Sequence, residues 1–208
     1  MKKVNFAAAL LSIAVLAGCT QPSAEASASP AANDTVYELA TAQHTTRTFT
    51  SQTIAEEDLQ KLLTVAFSGA TSGGQQARDV VVVNDRTIMK EIQAVHVYAQ
   101  SLDTAPVVFV ITGDEDRAAY SGNLAQDTSI AAQNVVLMAE SLGIATNIMS
   151  IYPSQDRITG IQKALQLPDH VIPYIMVAMG YSAEDTASAS SSRSTDYDSM
   201  VHYNTWGE

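Results

Sequence analysis

Residues 131–146 read AAQNVVLMAESLGIAT, and this stretch decides the architecture. From Ile130 onward, Ala131, Ala132, Val135, Val136, Leu137, Met138, Ala139 and Leu142 leave few polar breaks around a helical wheel. The spacing therefore predicts a helix over 130–142 that is buried on nearly all sides. Gly143 is placed to end it in a left-handed cap, and Ile144–Tyr152 follows as a strand. What covers the outer side of such a helix is left open by the pattern itself.

Working outward, the same alternation of helix and strand recurs. Thr53-Ile54-Ala55-Glu56 has capping-box spacing, and Leu59, Leu62, Leu63 and Ala66 share the helical face that follows, ending near Phe67. After the loop SGATSGGQQ, Val80–Val83 is a β-branched run expected to be a strand buried on both faces, closed by Asn84-Asp85. Ile88, Ile92, Val95, Ala99 and Leu102 predict one amphipathic helix, and Pro106 opens a strand over Val107–Ile111. Pro153 and Ser154 begin a turn into a helical face at Ile158, Ile161 and Leu165. Ile172–Met179 reads as the last central strand, ended by Gly180. Ser182–Ser194 is a Ser/Ala-rich surface run, while Met200, Val201, Tyr203 and Trp206 beyond it need somewhere to pack.

The start of the chain has a different composition. Lys2 and Lys3, an apolar stretch Phe6–Val15 and Leu16-Ala17-Gly18-Cys19 form a signal peptide with a lipobox, expected over residues 1–18. The apolar segment is too short to span a membrane permanently. Cys19 is the only cysteine, which excludes a disulfide within the chain and makes it the expected site of lipidation. Residues 19–35 are then a lipidated flexible tether, and 36–208 a single folded domain. The expected location is the cell envelope, on the extracytoplasmic side, at the periplasmic face or outer membrane.

With 11 basic and 22 acidic residues the chain carries a formal charge of −11, which argues against nucleic acid or anionic lipid as a partner. Each arginine becomes informative in that background. The four histidines, 44, 96, 170 and 202, are too scattered to nominate a metal site. There is no GxSxG elbow, HExxH, GxGxxG or Walker loop, so hydrolase, zinc and P-loop chemistries have no support.

Taken in order, HTTRTF at 44–49, the Ser/Gly/Gln loop at 72–76, AAQNVVLMAESLGIAT at 131–146 and LPDHVIPYIMVAMGY at 167–181 resemble the nitroreductase family. Ala-Ala-Gln-Asn followed by Ala-Glu-Ser-Leu-Gly-Ile looks most like its thiazoline and oxazoline dehydrogenase branch. The resemblance implies an α+β sandwich with a central mixed sheet flanked by helices. It also implies a homodimer with FMN at each end of the interface and a C-terminal tail crossing to the partner. Helix 130–142 and the Met200–Trp206 tail would then be dimer elements.

By that similarity, Gln43, His44, Thr45 and Arg47 occupy the family's first cofactor-binding segment. Arg47 would face the pyrimidine edge of the flavin and act catalytically, because a cation there favours the charge that builds on reduction. The family usually has arginine where this chain has Gln43; His44 is a partial replacement or equally a solvated loop histidine. Ser72 and Gln75 would meet the ribityl chain or pyrimidine edge. The amides of Ser150 and Ile151 would meet flavin N5, and Arg193 matches the C-terminal phosphate arginine. Gln76-Ala77-Arg78 replaces the Pro-Trp or Tyr-Pro that often continues the loop, so the substrate wall differs.

The function expected is therefore an FMN-dependent oxidoreductase exchanging electrons with a small organic substrate outside the cytoplasm. Its donor is left open among NAD(P)H, a quinone and a redox protein. The alternative is a lipoprotein of the same fold that binds flavin or a partner without turnover.

Overall fold

The computed structural model describes residues 34–183 and 197–206. The signal segment, Cys19, most of the expected tether and Arg193 lie outside the described residues. Five α-helices and four strands follow in the order α1 (Asp34–Ala42), α2 (Glu56–Ser68), β1 (Arg78–Val83), α3 (Arg86–Val95), β2 (Val107–Asp114), α4 (Leu124–Ser141), β3 (Ala145–Ser150), α5 (Gln155–Leu165) and β4 (Val171–Gly180). Helix α1 takes in Asp34 and Thr35, which the composition had assigned to the tether.

The sheet order is β1-β2-β4-β3. All three strand pairings are antiparallel, so the expected mixed sheet is absent among the described strands; the one parallel contact is an isolated bridge between Thr45 and Thr146. Period-two alternation sorts the two central strands onto two cores. Val108, Val110, Met176 and Ala178 face α3 and α5, packing on Met89, Ile92, Ile158 and Ile161. Phe109, Ile111, Val177 and Met179 face α2 and α4, packing on Leu62, Ala66, Ala131, Val135 and Ala139. The result is an α+β sandwich with helices on both faces, closed most tightly along β2 and β4.

Several local expectations are corrected. Ala55, not Thr53, caps α2, and it does so without a side-chain hydrogen bond; three acidic residues in the first turn complement the helix dipole instead. The valine run is an edge strand, with Val82 37% exposed, because nothing pairs beyond β1. The single helix expected over Ile88–Leu102 breaks after Val95 and resumes as a short 3-10 turn at Gln100–Asp103. Asp85 caps α3 by accepting from the Thr87 and Ile88 amides, which holds its carboxyl below the ordinary range. Helix α4 is longer than expected and open along one side, where Ile130 is 39% exposed. Gly143 does adopt the left-handed conformation, at φ +69°. No helix of the described residues is long and apolar enough to cross a membrane.

Candidate functional site

Because β3 ends the sheet order, one of its two edges is free to meet something other than a strand. The register with β4 pairs Ser150 with Ile175, and the Ile151 amide donates to the Tyr174 carbonyl at 2.9 Å. Backbone groups alternate between the two edges of a strand, so the amides of Asn147, Met149 and Ile151 face β4 and those of Thr146, Ile148 and Ser150 face outward. On the outer edge, the Thr146 carbonyl accepts from the Thr46 N–H at 3.0 Å. This lays residues 45–47 alongside β3 and brings Arg47 next to the outward groups at 148 and 150.

A cavity of about 360 Å³ opens there, lined by Arg47, Ile148, Ser150, His96, Tyr98 and Arg157, with Gln100, Asn147 and Met149. The Ser150 amide faces outward beside this cavity. Ile151 does not: it is fully buried and its N–H is committed to Tyr174. Within the strand, the amides of adjacent residues point to opposite edges, so those of Ser150 and Ile151 do not share one.

The far side of the cavity is built by residues the sequence reading missed. His96 is buried, donates from Nε2 to the Ser150 carbonyl at 2.9 Å and accepts at Nδ1 from the Tyr98 amide at 3.3 Å. Burial pushes its pKa down, so the neutral tautomer with the proton on Nε2 satisfies both contacts. Arg157, in the first turns of α5, donates to the same Ser150 carbonyl at 2.9 Å, and its guanidinium lies 5.4 Å from the centre of the Tyr98 ring. The scarcity of arginine was the one sequence signal that could have singled Arg157 out.

Of the remaining expected residues, Gln43 and Ser72 contact α4. Gln43 accepts at Oε1 from Gln133 Nε2 at 3.0 Å and donates to the Ala40 carbonyl at 3.3 Å. His44 Nε2 and Thr46 Oγ1 are buried without a hydrogen-bond partner among the described residues. Ser72 N–H donates to both carboxylate oxygens of Asp127, at 3.0 and 3.1 Å, and Ser72 Oγ accepts from Asn123 Nδ2 at 2.8 Å. Gly73 and Gly74 take positive φ in this loop, and Gln75 is exposed at its tip. Beneath it, Arg78 is 1% exposed and donates from Nε and Nη2 to the carbonyls of Ala66 and Gly69, at 3.1 and 2.9 Å. Burial lowers the Arg78 pKa while Asp127 raises it. The described residues contain no cluster of three metal-ligating side chains.

The fold is an α+β sandwich whose β3 edge carries outward amides beside an arginine. The model of the nitroreductase family matches residues 89–181. A Methanothermobacter thermautotrophicus protein named for NADH dehydrogenase and NAD(P)H nitroreductase activity is 32% identical over 150 residues, covering 72% of this chain and 78% of that one. The structure of a similarly named Parabacteroides distasonis protein aligns with TM-score 0.76 and 26% identity, over 84% of this chain and 100% of that one. That of an FMN-dependent nitroreductase from Clostridium difficile aligns with TM-score 0.74 and 22% identity, over 82% and 99%. The chain belongs to the nitroreductase family.

Proposed function

We propose that this protein is an FMN-dependent oxidoreductase acting on a small organic substrate, and one observation carries the assignment. In a chain of this family, Arg47 and the outward Ser150 amide meet in one cavity at the free edge of β3. When bound, FMN supplies two-electron redox chemistry between a donor and the substrate. Arg47 would stabilise negative charge on the reduced flavin, and the Ser150 N–H would be the donor to its ring. His96 and Arg157 hold the Ser150 carbonyl, which fixes the strand end that presents this amide.

The residues present fit the ring more fully than the phosphate. In the segment expected to meet the phosphate, Gln43 is uncharged and occupied by Gln133, and His44 Nε2 and Thr46 Oγ1 are buried polar atoms without a partner among the described residues that would be available to a ribityl or phosphate group. Arg193 is proposed to supply the missing cation. The same feature supports a second reading, a member of the fold that binds flavin weakly or serves an interaction role without turnover.

The wider reading is of a homodimer exported and lipid-anchored through Cys19, on the thiazoline and oxazoline dehydrogenase side of the family, using NAD(P)H, a quinone or a redox protein as donor. Dimerisation is supported by the exposure of Met200, Val201, Tyr203 and Trp206, and by an apolar groove between α1, α2 and α4 lined by Leu39, Val65, Leu137 and Met138. The lipobox supports the anchor.

The test is the visible absorption spectrum of the purified protein after incubation with FMN and removal of unbound flavin. Retained flavin at about one per chain is the expected result. A colourless protein whose melting temperature ignores FMN overturns the enzymatic reading and leaves the interaction role.

A further inference from the structure

Five arginines fall among the described residues, and four have evident tasks. Arg117 pairs with Asp79 and Asp114, Arg86 binds the backbone carbonyls of Leu102, Asp103 and Ala105, and Arg78 binds those of Ala66 and Gly69. Arg47 lies beside the outward groups of β3, where the flavin reading uses it. Arg157 differs from all of these. Its one hydrogen bond, to the Ser150 carbonyl, uses Nη1, and no carboxylate stands within ion-pairing distance of it among the described residues. A guanidinium has five N–H donors in a fixed fork, so most of this one's capacity is uncommitted.

Its placement is nonetheless fixed. The Tyr98 ring supports the guanidinium on one side, and Tyr98 is itself anchored through its amide to His96. The cavity it enters has no aspartate or glutamate in its lining, although the chain holds 22 of them, and the other cation in that lining is Arg47. Two guanidinium groups in one carboxylate-free cavity raise the local potential for anions, and the planar fork matches the two oxygens of a carboxylate.

We propose that Arg157 is a specificity-determining residue of this site, giving it a preference for substrates that carry a carboxylate in addition to the group being reduced or oxidised. The proposal rests on the FMN reading above and deepens it. Arg47 serves the cofactor's edge, and Arg157 takes the substrate's charge.

The experiment compares 4-nitrobenzoate with 4-nitrobenzamide, two nitroaromatic probes of similar shape that differ in charge, on the full-length FMN-loaded protein. Wild type is compared with Arg157→Gln and Arg157→Lys. The ratio of kcat/KM for the anion over the amide is expected to fall about tenfold in Arg157→Gln and to be largely restored in Arg157→Lys. Perturbation of the bound flavin's absorption by benzoate, titrated without turnover, should weaken in parallel while benzamide is unaffected.

An unchanged ratio in a flavin-loaded Arg157→Gln protein overturns the proposal. So does a lowered flavin midpoint potential with the ratio unchanged, which would assign the charge to the cofactor instead. Equal losses for both probes, unrescued by lysine, would reduce Arg157 to a positioning residue for Ser150 and also overturn it. A wild-type protein that retains no FMN fails at the earlier step and is recognised by its missing absorption before any probe is added.

Discussion

The two outer strands of the sheet, β1 and β3, are alike in position and opposite in use. At the start of β1, Arg78 enters the protein and closes the carbonyl end of α2, while Arg117 ties Asp79 to Asp114 at the exposed side of the same corner. Along β3 the polar groups turn outward, toward a cavity walled by Arg47 and Arg157. The contrast means that arginines of one protein should separate cleanly into those that hold it together and those that give it chemistry.

The largest effect expected is at the β1 corner. Arg78→Ala leaves two buried carbonyls unpaired and the neighbouring Asp127 uncompensated, and should cost about 3–5 kcal/mol of stability, measured by urea unfolding of flavin-free protein. A loss below about 1 kcal/mol would show that this corner is held by other contacts. Arg47→Ala on the β3 side should slow flavin reduction by about tenfold or more in stopped flow, yet move flavin-free stability by no more than about 0.5 kcal/mol. If the two substitutions destabilised equally, the division between the edges would collapse.

A smaller effect is expected from pH. His96 is held below its ordinary value of 6.5 by burial, so the unfolded chain takes up its proton first as the pH falls. Its contribution to stability is complete above pH 6.5 and declines as the pH drops below that value toward the folded-state pKa. His96→Gln should remove part of the wild-type loss of melting temperature between pH 7.5 and 5, and parallel curves would show that other groups dominate. The smallest effect should come from Asn123→Ala, which frees Ser72 Oγ. FMN affinity is expected to weaken about two- to threefold with less than about 1 kcal/mol of destabilisation.

How much of this could be read in advance differs by level. The buried helix, its left-handed Gly143 and the strand that follows were legible because apolar periodicity and a glycine stop act over a few residues. The break of α3 before Gln100 was not, since Ala99 and Leu102 are fully buried and continue the apolar pattern while the backbone leaves the helix. At the site, the segment carrying Arg47 was visible through its motif. The choice between the Ser150 and Ile151 amides was not, because strand parity is set by which partner β3 finds, and that partner is a strand 21 residues further on. His96 and Arg157 were hidden for a related reason: they reach Ser150 from α3 and α5, whose packing on that face follows from the whole sheet order.

Helix α4 has one more consequence. It grips the Ser72 loop at Asp127 and the Gln43 segment at Gln133, and six residues of helix separate those two grips by about 9 Å along its axis. Both loops are thus clamped to a single rod, and the gap between them is a gauge fixed before any ligand arrives. A cofactor side chain that contacted both segments would have to span that fixed spacing, so flavin analogues with a shortened chain should bind more weakly than FMN.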